Sequence, residues 1–345
     1  MTLQEKEKKI VEVIKELKKV NYPGYSRDIV SFGFIKKIDV DESGYVFVDI
    51  EVPTEKEDVF ESIREKVYDV LKHREDVEIS VRKREIFKKN KIPIRGKSIA
   101  IYSTKGGVGK STVAVNLAYS IKKIGFNTAV LDLDIHGPSV PRITGTQDYE
   151  PYSPDGKNIS PAEKFGVKIM SIGYMAKGDT PVIWRGPMVM KAFRTLTFST
   201  LWADTDVLVM DLPPGSGDVQ LSLAQEADIS GMVMITTPQE LALEDLRRGI
   251  SMFKKLSVPI LGVIENMSYF TCDSCGKRHY IFGKGGGRDV AKSYGIDFIG
   301  EIPFDPDLMK MSDEGRIYVL EKDGEVSESF ESISKKILEK LSLRK

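Results

Sequence analysis

Only two cysteines, Cys272 and Cys275, occur in 345 residues. So few thiols speak against a disulfide framework. They also exclude a four-cysteine metal site within one chain, because a closed zinc site or an iron–sulfur cubane takes four ligands. Charge of one sign is missing too: Lys and Arg number 51, Asp and Glu number 51, and the formal net charge is zero. No global field then steers the chain toward nucleic acid or an anionic membrane. There is no apolar run of membrane-spanning length and no solenoid repeat. The start of the chain is charged from Glu5 onward, unlike a secretory leader. The expectation is a cytoplasmic protein with neither a nucleic-acid nor a membrane partner. What the chain has in quantity is apolar residues, 41% of the total, enough for a sizeable core over a length that suits two domains.

Residues 1–84 read as a small α/β unit. Leu3 to Val20 has apolar residues at helical spacing, Ile29–Val40 and Tyr45–Val52 read as strands, Val59–Leu71 returns to helical spacing, and Val77–Val81 is a short strand. A basic stretch, 85–97, follows and reads as a solvated linker; it lacks the interleaved aromatics that stack bases. From 98 to 345 strands and helices alternate. Candidate strands are Ile99–Ser103, Thr128–Leu133, Val167–Ser171, Val207–Met210, Met232–Thr236, Ile260–Glu265 and Phe298–Ile302, with helices such as Ser111–Lys123, Pro187–Leu201 and Leu241–Leu256 between them. The strands are short, apolar and β-branched, as parallel strands covered on both faces are. This predicts an α/β fold with a doubly wound, mostly parallel sheet whose ligand site lies at the strand C-termini.

Lys105 to Thr112 reads KGGVGKST, after the first of these strands and before a helix. Strand, glycine-rich loop and helix N-terminus together make a phosphate cradle of P-loop NTPase type. Gly106, Gly107 and Gly109 let the backbone N–H groups turn inward, with Val108 between them. Lys110 is placed to meet the β- and γ-phosphates, and Ser111 to ligate magnesium, with Thr112 closing the motif. Thr104 stands where the standard pattern has its first glycine, and Lys105 adds a second lysine. Two lysines in one loop mark the deviant Walker A group of ParA, MinD, nitrogenase iron protein and Mrp. Asp132-Leu-Asp134 and Asp211-Leu-Pro-Pro-Gly215 end the second and fourth strands of this part of the chain. Carboxylates there have work to do: one binds magnesium and another orients the attacking water.

The series Asp132-Leu-Asp-Ile-His-Gly-Pro-Ser-Val140, Trp184-Arg-Gly-Pro-Met188, Asp211-Leu-Pro-Pro-Gly-Ser-Gly-Asp218, Glu265-Asn-Met-Ser268 and Cys272-Asp-Ser-Cys-Gly276 resembles that of the Mrp-type iron–sulfur carrier ATPases, over nearly all of 97–341. The resemblance implies an ATP site in which Lys105 reaches across a sandwich dimer to the partner's nucleotide. It implies that Asp134 positions the hydrolytic water, Asp211 supports magnesium and Asn266 bonds the adenine. Catalytic roles then fall to Lys105, Lys110 and Asp134, and metal roles to Ser111, Asp211, Cys272 and Cys275. The first residues, with Ile29-Val-Ser-Phe-Gly-Phe-Ile35, resemble the SufT-like domain often fused ahead of such ATPases. They lack its Asp-Pro-Glu and its cysteine, so a docking or regulatory role is expected.

Cys272 and Cys275 form a C-x-x-C in a turn-rich segment, and three uses are open. A two-fold axis through the loop of a homodimer gathers four thiolates, which suits a bridging 4Fe–4S cluster, as in the Mrp family. C-x-x-C-x-x-x-H, with His279, suits zinc within one chain. A redox pair is the third use, although a thioredoxin-like site belongs after a first strand. Gly283-Lys-Gly-Gly-Gly287 lacks the terminal Gly-Lys-Ser of a phosphate loop and reads as a turn. Phe330, Ile333, Ile337, Leu338 and Leu341 form a stripe that reads as a helix packed on the sheet in preference to a membrane anchor. The resulting expectation is a homodimeric ATPase that carries a 4Fe–4S cluster to apoproteins, with ATP switching the dimer. A ParA/MinD-like positioning ATPase, a zinc-stabilised P-loop ATPase and a nitrogenase-type electron carrier are the rivals.

Overall fold

The computed structural model describes residues 3–23, 28–54, 56–83, 89–135, 137–175, 186–215, 218–256 and 258–344. His136, Trp184, Arg185, Ser216 and Gly217 of the motifs above lie outside the described residues, as do 84–88 of the basic stretch. The chain divides into two compact units, residues 1–88 and 89–345.

In the first unit, α1 (Leu3–Leu17) and α2 (Glu57–Leu71) pack against a sheet of order β1 (Ile35–Val40), β2 (Val46–Val52), β3 (Val77–Lys83). The first pair is antiparallel and the second parallel. Strand β2 alternates as its sequence does: Val46, Val48, Ile50 and Val52 are buried while Phe47 is exposed, the period of a sheet covered on one face. One strand expectation is corrected. The chain from Ile29 to Phe34 is a turn, because Gly33 adopts φ +74° and the Phe34 N–H returns to the Ile29 carbonyl at 3.1 Å. Ile29 and Phe34 are buried from that turn, so their apolar character reflects burial without a ladder.

The second unit opens with β4 (Lys97–Tyr102), α3 (Lys110–Ile124), β5 (Thr128–Asp132), α4 (Val140–Thr144), β6 (Ala162–Lys164) and β7 (Val167–Ser171). There follow α5 (Gly186–Phe198), β8 (Val207–Asp211), α6 (Asp218–Glu226), β9 (Gly231–Thr236), α7 (Glu240–Lys255) and β10 (Ile260–Asn266). The last part holds β11 (Phe270–Thr271), β12 (Arg278–His279), α8 (Gly286–Ser293), β13 (Phe298–Ile302), α9 (Pro306–Asp313), α10 (Tyr318–Glu321) and α11 (Glu325–Lys340). One sheet has the order β13-β10-β9-β4-β8-β5-β7-β6, parallel except for the β7–β6 pair. Every residue of β5, β8 and β9 is buried, which is why they read as unbroken apolar runs. Strand β4 lies between β8 and β9; the chain builds β5, β7 and β8 on one side of it before crossing to β9 and β10 on the other, so the order reverses beside β4 and its C-terminal end lies at the switch point of the sheet.

Residues 89–97 pack onto this unit and do not stand free as a solvated linker. Ile92 is buried, Asn90 bridges to Ala227, and the Arg95 and Gly96 N–H groups donate to the Thr205 carbonyl. An apolar Ile92 among basic neighbours needs such cover. Gly286 and Gly287, expected in a turn, begin α8, where the Gly287 N–H donates to the buried Glu265 carboxylate at 2.6 Å. The C-terminal stripe is core. Phe330, Ile333, Ile337, Leu338 and Leu341 are buried as α11 packs along α3 and β13. A Cβ on Gly300 of β13 would lie 2.6 Å from Ile333. No described helix is long and apolar enough to cross a membrane.

Candidate functional site

Strand β4 ends at buried Tyr102, and α3 begins at Lys110. The loop between them turns on Gly107 (φ +82°) and Gly109 (φ +78°), conformations that side chains rarely adopt. A Cβ on Gly109 would come within 2.4 Å of the Asn266 amide nitrogen. The loop is tied from several sides: Ser103 Oγ donates to the Lys105 carbonyl at 2.9 Å, Thr104 Oγ1 to the Asp245 carbonyl of α7 at 2.8 Å, and Asn266 Nδ2 to the Val108 carbonyl at 2.9 Å. Thr104, the departure from the standard motif, thus anchors the loop to α7. Within α3, Asn116 Nδ2 donates to the Thr112 carbonyl, and Asn116 Oδ1 accepts from the Val319 N–H of α10.

The charges of three carboxylates act on the buried ammonium of Lys110. Its Nζ donates to Asp211 Oδ1 at 2.5 Å and stands 3.5 Å from Asp134 Oδ2. Burial pulls the Lys110 pKa down, but the Asp211, Asp134 and Asp132 charges outweigh it, and the lysine stays protonated. Burial raises the Asp211 carboxyl against the opposing pull of Lys110 and Ser111. Asp132, wholly buried, is pushed up to about 7 by burial and by the Asp211 charge. It accepts from the Asp134 N–H, from Ser171 Oγ and from the Val140 N–H. In this way it shapes the segment that carries Asp134. Asp211 Oδ2 is buried and has no hydrogen-bond partner among the described residues. A divalent cation fits this surplus of carboxylate charge, with Ser111 and the free Asp211 oxygen as the oxygen donors that magnesium prefers.

Lys105, Gly106, Gly107, Gly109, Lys110, Ser111, Thr112, Asp134 and Asn266 all line one cavity of about 410 Å³. Val108 is buried behind them. Met267, Phe304, Leu308 and Met309 add an apolar wall. Lys105 is exposed at the rim. Below the cavity, the Tyr102 hydroxyl donates to the Gly215 carbonyl at 2.7 Å, and Gln220 Nε2 donates to the carbonyls of Pro213 and Pro214. The loop after Asp211 is therefore held by side chains from β4 and α6.

The cysteines lie apart from this cavity, at the tip of the β11–β12 hairpin, where Phe270 pairs with His279 and Thr271 with Arg278. The Gly276 N–H closes the turn on the Cys272 carbonyl at 2.8 Å, and the Cys272 N–H donates to the Lys277 carbonyl at 3.0 Å. Cys275 is exposed and Cys272 partly so. Backbone N–H groups of Ser274 and Cys275, then the Cys275 thiol, hold the Cys272 pKa below the ordinary thiol range. Among the described residues no group of three His, Cys, Asp or Glu gathers as a metal site, so His279 is not brought to the pair. Cys272 lines a second cavity of about 570 Å³, and Pro303, Phe304 and Asp305 line both cavities.

Several residues of this region were not singled out from sequence. Asp305 caps α9 by accepting from the Asp307 N–H at 2.7 Å and accepts from the Tyr318 hydroxyl; aspartate directly before Pro306 is a legible cap signal. Glu325 accepts from Tyr269, Thr271 and Arg278. Nothing local marks it, because its partners are more than 45 residues away.

A family model described as NUBPL iron-transfer P-loop NTPase, of the ParA type, matches residues 95–338, and one described as iron-sulfur cluster assembly protein matches residues 10–81. An iron-sulfur cluster carrier protein of Aquifex aeolicus is 48% identical over 252 residues, 72% of this chain and 69% of that protein. One of Helicobacter pylori is 35% identical over 342 residues, 96% of this chain and 90% of that protein. Among solved structures, a nucleotide-binding protein from Archaeoglobus fulgidus in complex with ADP is similar with a TM-score of 0.60 and 38% identity, covering 69% of this chain and 92% of that one.

Proposed function

The chain belongs to the NUBPL iron-transfer family of P-loop NTPases, and from that premise we propose that it carries a 4Fe–4S cluster to recipient apoproteins as an ATP-switched homodimer. One contrast carries the reading. The phosphate cradle is assembled within a single chain, whereas the hairpin offers two thiolates and no third ligand among the described residues. Two hairpins related by a two-fold axis supply the four thiolates that a cubane takes. Zinc held through His279 gains no support from a hairpin that keeps His279 in its ladder opposite Phe270.

In the nucleotide site Lys110 is held on Asp211. An arriving triphosphate gives the ammonium a second, stronger set of anionic partners, and Lys110 moves its contact to the β- and γ-oxygens. Ser111 and Asp211 hold magnesium, which when bound neutralises developing phosphate charge. Asp134, placed by Asp132, orients the attacking water, and the loop N–H groups cradle the phosphates. The apolar wall with Asn266 receives the adenine. Lys105, free at the rim, reaches the nucleotide of the partner. Hydrolysis then releases ADP and phosphate and changes how the two hairpins face each other. The test is anaerobic reconstitution with iron and sulfide, followed by iron, sulfide and zinc analysis. The reading expects one brown cluster per dimer. Colourless protein with one zinc per chain, lost on His279→Ala, would refute the carrier reading and leave the ATPase reading standing.

A further inference from the structure

The cysteine hairpin is too small to hold itself. Only two residue pairs join β11 to β12, and a two-stranded ribbon alone is marginal in water. Phe270 packs edge-on against Phe304, whose N–H donates to the Tyr269 carbonyl at 2.7 Å, and three polar side chains converge on one carboxylate. Glu325 Oε1 accepts from the Tyr269 hydroxyl at 3.0 Å, Oε2 accepts from Thr271 Oγ1 at 2.8 Å, and the Arg278 guanidinium donates to Oε1. The Arg278 guanidinium also lies over the Tyr269 ring, 4.3 Å from its centroid. Tyr269 and Thr271 belong to one limb of the hairpin and Arg278 to the other, so Glu325 spans both. It is the first residue of α11, whose Phe330, Ile333 and Ile337 are locked in the core. Cys272 follows Thr271 directly.

An exposed ion pair alone contributes little, and the Glu325 side chain is 36% exposed. This contact differs because two neutral hydroxyls and a guanidinium share one charged acceptor, and hydrogen bonds to a charged acceptor are the stronger kind. We propose that Glu325 is the positioning residue of the cysteine pair: it clamps both limbs of the hairpin to α11, and so sets where Cys272 and Cys275 stand and how firmly they hold their cargo. Only the last clause rests on the carrier reading; the clamp itself is a property of the cluster-free chain.

Hydrogen exchange on the full-length, cluster-free protein reads the clamp directly. In Glu325→Ala the Cys272 and Gly276 amides should exchange on the order of 10-fold faster, while those of β4 and β8 keep their protection. Glu325→Gln keeps an oxygen for a hydroxyl but turns a donor toward Arg278, so it should fall between. After reconstitution, Glu325→Ala should lose iron to a chelator about tenfold faster than the wild type. Unchanged exchange at 272 and 276 would overturn the clamp. Loosened amides with unchanged cluster loss would overturn its hold on the cargo. Should the wild type take up no cluster, the carrier reading fails while the exchange data still judge the clamp. Should Glu325→Ala melt early as a whole, Tyr269→Phe with Thr271→Val strips both hydroxyls and leaves α11 untouched. That double variant should loosen the same amides, and the clamp falls if it does not.

Discussion

The phosphate loop is tied by the Asp245 carbonyl, the Asn266 amide and the Asp211 carboxylate, while the cysteine hairpin is held at the surface by Glu325 and by Phe304 at its base. Both are reached from the end of β10, where Asn266 faces the loop and the chain turns at Met267 (φ +55°) toward Cys272. The difference follows from what each site handles. On the proposed reading, phosphoryl transfer is promoted by fixed charges, so Lys110 and its carboxylates are buried and the loop is tied from many sides. On the same reading, a cargo shared with a second chain and surrendered to a third needs exposed ligands on an element of low local stability.

Breaking one region should spare the other, and this makes the comparison testable. The largest effect is expected from Lys110→Ala, which removes the buried ammonium and should cut ATP turnover by on the order of 10²-fold or more. Cluster uptake by that variant should persist, and near-normal turnover would move the active site elsewhere. Lys105→Ala should also be inactive. Mixed dimers of the two variants should regain part of the activity if Lys105 acts on the partner's nucleotide. Next comes Cys272→Ser, which should abolish most of the bound iron yet leave ATP turnover within about twofold, because separated sites behave additively. Loss of both activities together would mean that the two regions are one site.

Gly109→Ala sharpens the comparison from the loop side. The new methyl meets the Asn266 amide at a backbone angle that alanine disfavours, so nucleotide affinity should fall about tenfold or more by calorimetry, at roughly 1.4 kcal/mol per decade. Unaltered affinity would mean that the loop relaxes freely. The smallest effect concerns pH. Burial and the Asp211 charge push the Asp132 carboxyl from the ordinary 3.8 up to about 7 in the folded chain. Between those values the folded chain holds the extra proton, so stability present in acid is lost as pH rises from about 4 to about 7. Asp132→Asn should flatten the dependence of the melting temperature on pH in that window. A slope that persists in the variant would assign the proton to Asp211.

Much of this was written locally. A glycine-rich loop between an apolar strand and a helix has few other uses, since backbone conformation, helix dipole and lysine charge all act over a handful of neighbouring residues. The buried strands declared themselves because strands covered on both faces admit little but apolar side chains. Local pattern misled where burial came without a ladder, at Ile29–Phe34, and where apolar residues such as Ile92 were hidden among basic ones. The tertiary structure alone decided the contacts that span long stretches of chain: Thr104 on Asp245, Asn266 on Val108, Asn116 on Val319, and Glu325 on both limbs of the hairpin. No periodicity encodes such pairs. Asn, Thr and Glu are at home on any surface, and only the close packing of α3, α7, α10 and α11 around the sheet brings each to its distant partners.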